Sequence, residues 1–346
     1  MMMNHTSKNQ SKVNPGTVIT GKWHGNQYVV MKELGSGANG IVYLAKFKGM
    51  YAALKMSDSG MSITSEVNVL KSFAKVQGSQ SLGPSLLDVD DWQTRYGLTS
   101  FYAMEYIKGP DLLTFIQQKG RAWVPILFLQ LLNDLAQLHS HGWIFGDLKP
   151  ENLIVSGPPP KIRCIDVGGT TKQGRSIKEF TEFFDRGYWG LGSRKAEVTY
   201  DLFAVAMIMI NTAYPKRFLK SEGGIVQLKQ AIKKSPDLHP FENVIVNALQ
   251  GRYQNANEMR QALLNCLSKS NSPKEKSAMR QSKQSNRMTK TNVSNQQSIN
   301  RPHGKHQPLT RQRYRKNKRK RHLLEYVVIS IVAGLFYSLY ILIKLQ

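Results

Sequence analysis

Asp147, Lys149 and Asn152 stand at D-x-K-x-x-N spacing in the stretch GDLKPENLIV. A carboxylate, an ammonium and a carboxamide so close together can accept the proton of an attacking hydroxyl, neutralise charge on a group in transfer and ligate a metal. Fourteen residues beyond Asn152, IRCIDVGG places Asp166-Val167-Gly168 at the end of an apolar run. Asn152 and Asp166 are oxygen ligands of the kind Mg²⁺ takes, since that ion keeps waters and phosphates as its other ligands. Earlier in the chain, Gly35, Gly37, Gly40 and Val42 fit G-x-G-x-x-G-x-V. Without Cβ atoms such a loop lets phosphates approach the backbone closely. The IVYLAKF that follows alternates as a strand, so the loop joins two strands rather than opening a helix. Lys55, between Leu54 and Met56 and two residues beyond Ala53, is expected to face inward as a cation in need of an anion. Glu66 is the only acid between Asp58 and Asp88 and lies on a predicted helix, which makes it the partner holding Lys55 against nucleotide phosphates. Singly these residues are a capping Asp, a surface Lys and a turn Asn. In this order they point to phosphoryl transfer.

The elements that must position these groups fall into two halves. From about 27 to 106, QYVVMKEL, GIVYLAKF, MYAALKM and SFYAMEYI are short, β-branched or aromatic, and separated by turns. One helical stretch interrupts them, SITSEVNVLKSFAKV, with Ile63, Val67 and Leu70 at helical spacing. After Pro110 the pattern turns helical. VPILFLQLLNDLAQLHSH and residues 200–213 are apolar on most sides, as buried helices are. A β-rich half followed by a larger helical half predicts an α+β chain of two lobes with a cleft between them.

The span from about 28 to 265 resembles a eukaryotic-type (Hanks-type) protein kinase domain. MEYIKG at 104–109 resembles the hinge, Lys195-Ala196-Glu197 stands where A-P-E ends the activation segment, and Asp201 resembles the acid that opens the central helix. The resemblance implies ATP and Mg²⁺ as cofactors, Asp147 and Lys149 as catalytic residues, and Asn152 and Asp166 on the metal. It also implies a nucleotide site drawing on Gly35, Gly37, Gly40, Val42, Ala53, Lys55, Glu66 and Glu105. Glu197 is expected to pair with Arg252. DLKPEN is the serine/threonine version of the loop, so Ser/Thr residues of proteins are the implied acceptors. Phe145-Gly146 stand where such loops carry His-Arg. Gly146 has no cation to hold an activating phosphate, whereas Phe145 and Val167 are apolar enough to preserve packing. Phe145-Gly146-Asp147 also resembles the H-G-D of aminoglycoside phosphotransferases, so a small-molecule kinase is one alternative and a pseudokinase scaffold another.

Composition changes at about 268. The chain of 346 residues carries a formal charge of +25, yet residues 269–322 alone hold 17 Lys/Arg against one acid, Glu275. That stretch is rich in Ser, Asn, Gln and Lys and nearly free of aliphatic residues, the composition of a disordered arm. It ends in a basic run: Arg311, Arg313, Arg315, Lys316, Lys318, Arg319, Lys320 and Arg321. Then YVVISIVAGLFYSLYILI, 326–343, gives 18 residues without a charge, enough to cross a ~30 Å hydrocarbon layer. The expected organisation is a flexible 1–20, a kinase domain over 21–268, a basic arm over 269–322 and a transmembrane tail anchor over 323–346. The anchor keeps its basic flank, and with it the kinase, in the cytoplasm. The arm is expected to bind anionic lipid, nucleic-acid phosphate, or both. With the kinase domain, arm and anchor together, the whole chain is similar to YabT-type kinases of sporulating bacilli, a resemblance that implies stimulation by non-specific DNA and work during sporulation. Two cysteines are too few for a disulfide framework.

Overall fold

The structure is a computed structural model that describes residues 12–37, 39–77, 82–95, 97–221 and 223–270. The eight arginines and lysines from Arg311 to Arg321, most of the basic arm and the candidate span 326–343 lie outside the described residues. Among the described residues no helix is long and apolar enough to cross a membrane.

The first lobe is an antiparallel sheet of β1 (Val18–Thr20), β2 (Gln27–Gly37), β3 (Gly40–Phe47), β4 (Met50–Ser57), β5 (Leu86–Thr94) and β6 (Gly97–Glu105), ordered β1-β2-β3-β4-β6-β5. Side chains alternate across a strand, and here the alternation separates two jobs. Tyr28, Val30, Tyr43, Leu54, Met56 and Phe101 point to one face and form a closed apolar cluster with Ile19. Ala53, Tyr102 and Met104 point to the other and pack with Ile63, Val67 and Leu70 of α1 (Gly60–Gln77). Lys55 shares that second face, which is how the strand period carries it to the cleft.

Two expectations need correction here. The N-terminal 1–20 was expected to be loose, but Val18–Thr20 is a strand and Ile19 is fully buried. Gly21 bridges Trp92 of β5, so β1 ties both edges of the sheet together. β5 itself carries no alternating apolar pattern because two of its side chains are inward acids. Asp90 accepts from the Trp23 and His24 amides at 2.9 and 2.8 Å, and Asp88 accepts from Asn26 and the Tyr28 hydroxyl at 2.9 and 2.7 Å. The second correction is at the other end. The domain was expected to stop at 268, yet the last helix runs through Lys269 to Ser270.

The second lobe contains α2 (Leu112–Lys119), α3 (Trp123–Ser140), α4 (Val198–Ala213), α5 (Ile225–Lys234), α6 (Glu242–Leu249) and α7 (Ala256–Ser270). Asp111 caps α2, accepting from the Thr114 amide at 3.0 Å. α4 is buried without a break from Tyr200 to Thr212, which explains why it is apolar on all sides. Short strands β7 (Trp143–Ile144), β8 (Leu153–Ser156), β9 (Lys161–Cys164) and β10 (Thr171–Lys172) pair as β7 with β10 and β8 with β9. These two small hairpin-like pairs carry the D-x-K-x-x-N loop and Asp166.

Candidate active site

A cavity of about 410 Å³ opens between the lobes. Its roof is the β2–β3 loop. Gly35 and Gly37 have open space where a side chain would stand, and at Gly40, with φ +128°, a Cβ would fall 2.2 Å from the Met56 carbonyl oxygen. The two open glycines leave backbone exposed to the cavity, while Gly40 is required by the turn itself. Val42 and Ala53 line the roof beside them.

Lys55 is almost wholly buried and donates to both oxygens of Glu66, at 2.8 and 2.6 Å. Its ammonium also lies 3.9 Å from Asp166 Oδ1. Register explains the meeting: Val42, Lys55 and Tyr102 face one another across β3, β4 and β6, so their side chains share a face. The Tyr102 hydroxyl donates to Glu66 Oε2 at 2.7 Å. Burial first, and then the Glu66 charge, push this phenol well above its ordinary pKa, so it remains a neutral donor.

The floor comes from the second lobe. Asp201, fully buried in α4, accepts from the Phe145 and Gly146 amides at 2.7 and 2.9 Å and contacts His139 Nε2 at 2.8 Å. That clamp fixes the loop leading into Asp147. Lys149 donates to Asp147 Oδ2 at 2.5 Å. Burial pulls the Lys149 pKa down, but this bond and the charges of Asp147, Asp166 and Glu151 outweigh it, so the ammonium holds its proton more tightly than an ordinary lysine. Asn152 Nδ2 donates to the Asp147 carbonyl at 3.4 Å, which leaves Oδ1 as its ligand atom. Asp166 follows β9, accepts from the Gly168 amide at 3.0 Å and keeps 43% of its side chain exposed to the cavity.

Gly146 adopts φ +86°, and a Cβ there would sit 2.7 Å from the Gly169 carbonyl oxygen. The departure from His-Arg is thus built into the backbone. Phe145 and Val167 are both buried in the apolar core, Phe145 with its ring centroid 6.5 Å from that of Phe73.

Two sequence expectations change. Glu105 lines the cavity, but its carboxylate turns away to take Arg163 at 3.1 and 2.8 Å and the Ser85 amide at 3.1 Å. Only its main chain is left to face a ligand; the side chain braces the hinge. Glu197 pairs not with Arg252 but with Arg186, at 3.0 Å, while Arg252 donates to Asn247. Arg186 belongs to the same segment and also reaches the Ser193 carbonyl and Thr199 hydroxyl, both at 2.6 Å. The site also contains an acid that sequence reasoning missed. Glu179 enters the cavity and accepts from Asn39 of the glycine loop. Burial, aided by the Asp166 and Asp147 charges, raises its pKa. It sits in an irregular segment outside every motif, so no periodicity marks it.

Residues 28–296 match the protein kinase domain family. The chain belongs to the protein kinase family. It is 59% identical over 252 residues to the serine/threonine-protein kinase YabT of Bacillus subtilis (strain 168), spanning 72% of this chain and 74% of YabT. It is 33% identical over 135 residues to the yeast serine/threonine-protein kinase RIM15 (Saccharomyces cerevisiae, strain ATCC 204508 / S288c), 37% of this chain but 8% of RIM15. Against cell division control protein 2 homolog D of Antirrhinum majus the identity is 27% over 222 residues, 58% of this chain and 70% of the relative. This kinase is therefore YabT-like, a bacterial serine/threonine protein kinase of the eukaryotic type. Its G-x-G-x-x-G loop, Lys55, Asn152 and Asp166 border one cavity; Glu66 stands behind Lys55, and the Asp147–Lys149 pair lies outside the lining on the loop that ends in Asn152.

Proposed function

We propose that this kinase transfers the terminal phosphoryl group of ATP, with Mg²⁺, to serine or threonine hydroxyls of protein substrates. The observation that carries the reading is the buried Lys55 ammonium, held by Glu66 and turned toward Asp166 across the cavity. The residues fit the nucleotide and the metal. Open space at Gly35 and Gly37 would admit phosphates, and Asn152 Oδ1 with the exposed Asp166 carboxylate is a hard-oxygen pair. Asn152 and Asp166 would hold Mg²⁺, which when bound neutralises charge on the phosphates. The chain's own groups do the rest. Lys55 binds phosphate oxygens, and Asp147 orients the acceptor hydroxyl and takes its proton. Lys149, already bonded to Asp147, offsets charge on the group in transfer.

The tail extends this reading. Residues 326–343 anchor the kinase in the cell membrane, with the catalytic domain in the cytoplasm. The run from Arg311 to Arg321 takes anionic lipid beside the bilayer, and the nine basic residues from Lys269 to Lys305 take DNA without sequence preference. DNA bound there stimulates the kinase. These proposals rest on the charge and hydropathy pattern of the sequence and on the likeness to YabT.

A radiolabelled-ATP assay tests both parts, using the detergent-solubilised full chain with a generic protein acceptor, an aminoglycoside, and DNA present or absent. Label should appear on Ser/Thr of the protein and rise with DNA, and a chain ending at 275 should lose the rise. If eight phosphates are contacted, binding should fall ~10³–10⁵-fold between 50 and 200 mM salt. Label on the aminoglycoside alone, or none anywhere, would overturn the catalytic reading. Equal stimulation of the shortened chain would move the DNA site onto the folded body.

A further inference from the structure

Tyr102 lies directly opposite Lys55 in the β4–β6 register, so the two side chains project side by side from one face of the sheet. Both end on Glu66. The ring of Tyr102 is buried, 1% exposed, and packs with the α1 residues of the core. Its only side-chain polar atom donates to Glu66 Oε2 at 2.7 Å, the same oxygen that takes Lys55 at 2.6 Å. Ser62 Oγ stands at the limit of hydrogen bonding, 3.5 Å from Oε1. The Glu66 carboxylate is thus held by one cation and one neutral hydroxyl, in a site nearly closed to water.

The physical consequence concerns Lys55. Its ammonium sits 3.9 Å from Asp166, an acid free to draw it down toward the floor of the cavity. A carboxylate fixed at one point keeps the ammonium at the roof. A carboxylate free to turn about its stem lets the cation slide toward Asp166 and blunts both charges. α1 has few other polar ties to the second lobe among the described residues: Lys178 donates to Ser65 at 3.1 Å on the exposed side. Position 146 offers no cation through which a phosphate could fix the segment that faces α1.

We propose that Tyr102 is a positioning residue for phosphoryl transfer: its hydroxyl pins the Glu66 carboxylate, which keeps Lys55 presented to the nucleotide and α1 docked without an activating phosphate. The inference rests on Lys55 binding phosphate, as proposed above. Tyr102 lines the cavity with its ring, but its one polar side-chain atom is taken by Glu66, so its hydroxyl acts through that carboxylate.

Removing only the hydroxyl tests this. In full-length Tyr102→Phe the ring packing is retained. A hydrogen bond to a charged group corresponds to roughly a ten-fold change, so the dissociation constant and KM for ATP should rise about ten-fold. The KM for the protein acceptor should not move, and kcat should fall less than three-fold by the same reasoning, since Asp147 and Lys149 are untouched. Two controls separate this role from general weakening. Tyr200→Phe removes a hydroxyl from another buried carboxylate, Asp185, and should leave ATP affinity unchanged. In a Glu66→Gln background, Tyr102→Phe should add little further loss in ATP affinity, because the two act as one unit. Wild-type ATP affinity in a folded Tyr102→Phe, or fully additive losses in the double variant, would overturn the inference. Lys55→Ala in the same assay distinguishes the failures. If it is inactive while Tyr102→Phe is normal, only the Tyr102 role falls; if it retains transfer, the site reading falls.

Discussion

Glu66 and Asp185 are built from the same parts and do different work. Each is a buried carboxylate that accepts from one cation and one tyrosine hydroxyl: Lys55 and Tyr102 for Glu66, Arg194 and Tyr200 for Asp185. Asp185 also takes the Gly187 and Tyr188 amides at 3.1 and 2.8 Å. Burial raises its pKa, but Arg194, Tyr200 and the two amides together hold it below the ordinary carboxylate value. Its partners close around it and fold residues 185–194 back on themselves. Glu66 lacks those amides, and its cation borders a cavity and faces a second acid. Arg194 is the more exposed of the two cations but lies outside the cavity and staples a loop, whereas the buried Lys55 lines the cavity opposite Asp166 and makes a binding site. Chemistry in this molecule follows the placement of the cation rather than the residue types.

The contrast can be broken most severely at the floor of the cavity. Asp166→Ala and Lys55→Ala should each abolish phosphate transfer, the first with a melting temperature close to wild type and the second with a lowered one, because Glu66 is left buried without its cation; transfer retained in either would dissolve the distinction between site and staple. Asp147→Asn should slow turnover about 10²–10⁴-fold, the range of a lost general base, with ATP affinity unchanged; nucleotide titration checks the second half. Asp185→Ala should do the reverse. It leaves the Tyr200 hydroxyl and the Gly187 and Tyr188 amides without their acceptor and should lower unfolding free energy by about 1–3 kcal/mol in a denaturant titration. The expected melting loss is large, whereas any surviving folded fraction should bind ATP normally. The smallest effect belongs to phosphate itself. Because residue 146 has no side chain to hold one, phosphatase treatment of the purified kinase should change its rate by less than about two-fold, and a collapse of activity would show a clamp built from other cations.

The sequence disclosed the parts that obey a period or a motif. Lys55 was legible because strands alternate, and Glu66 because it was the only acid on the helix that follows. Tyr102 was legible in principle: pairing MYAALKM with SFYAMEYI antiparallel, Lys55 opposite Tyr102, brings both side chains to one face. What stayed hidden depends on partners distant in sequence. β5 escaped notice because Asp88 and Asp90 occupy positions where a strand ordinarily shows apolar residues, and they are satisfied by groups sixty or more residues earlier. β1 is three residues long and gains its stability from both sheet edges rather than from its own pattern. Arg252 and Arg186 are equally basic on paper; only the local fold of the 185–197 loop brings Arg186 to Glu197. Glu105 lines the cavity as its place suggests, but the tie of its carboxylate to Arg163 depends on a partner 58 residues away.

Anomalous diffraction from crystals of the kinase soaked with Mn²⁺ and a non-hydrolysable ATP analogue puts the central claim to its most direct trial. The account predicts a manganese peak bounded by Asn152 and Asp166, with the phosphates between that peak and the Lys55 ammonium. Nucleotide and metal bound elsewhere, with Lys55 and Asp166 facing no phosphate, would contradict it.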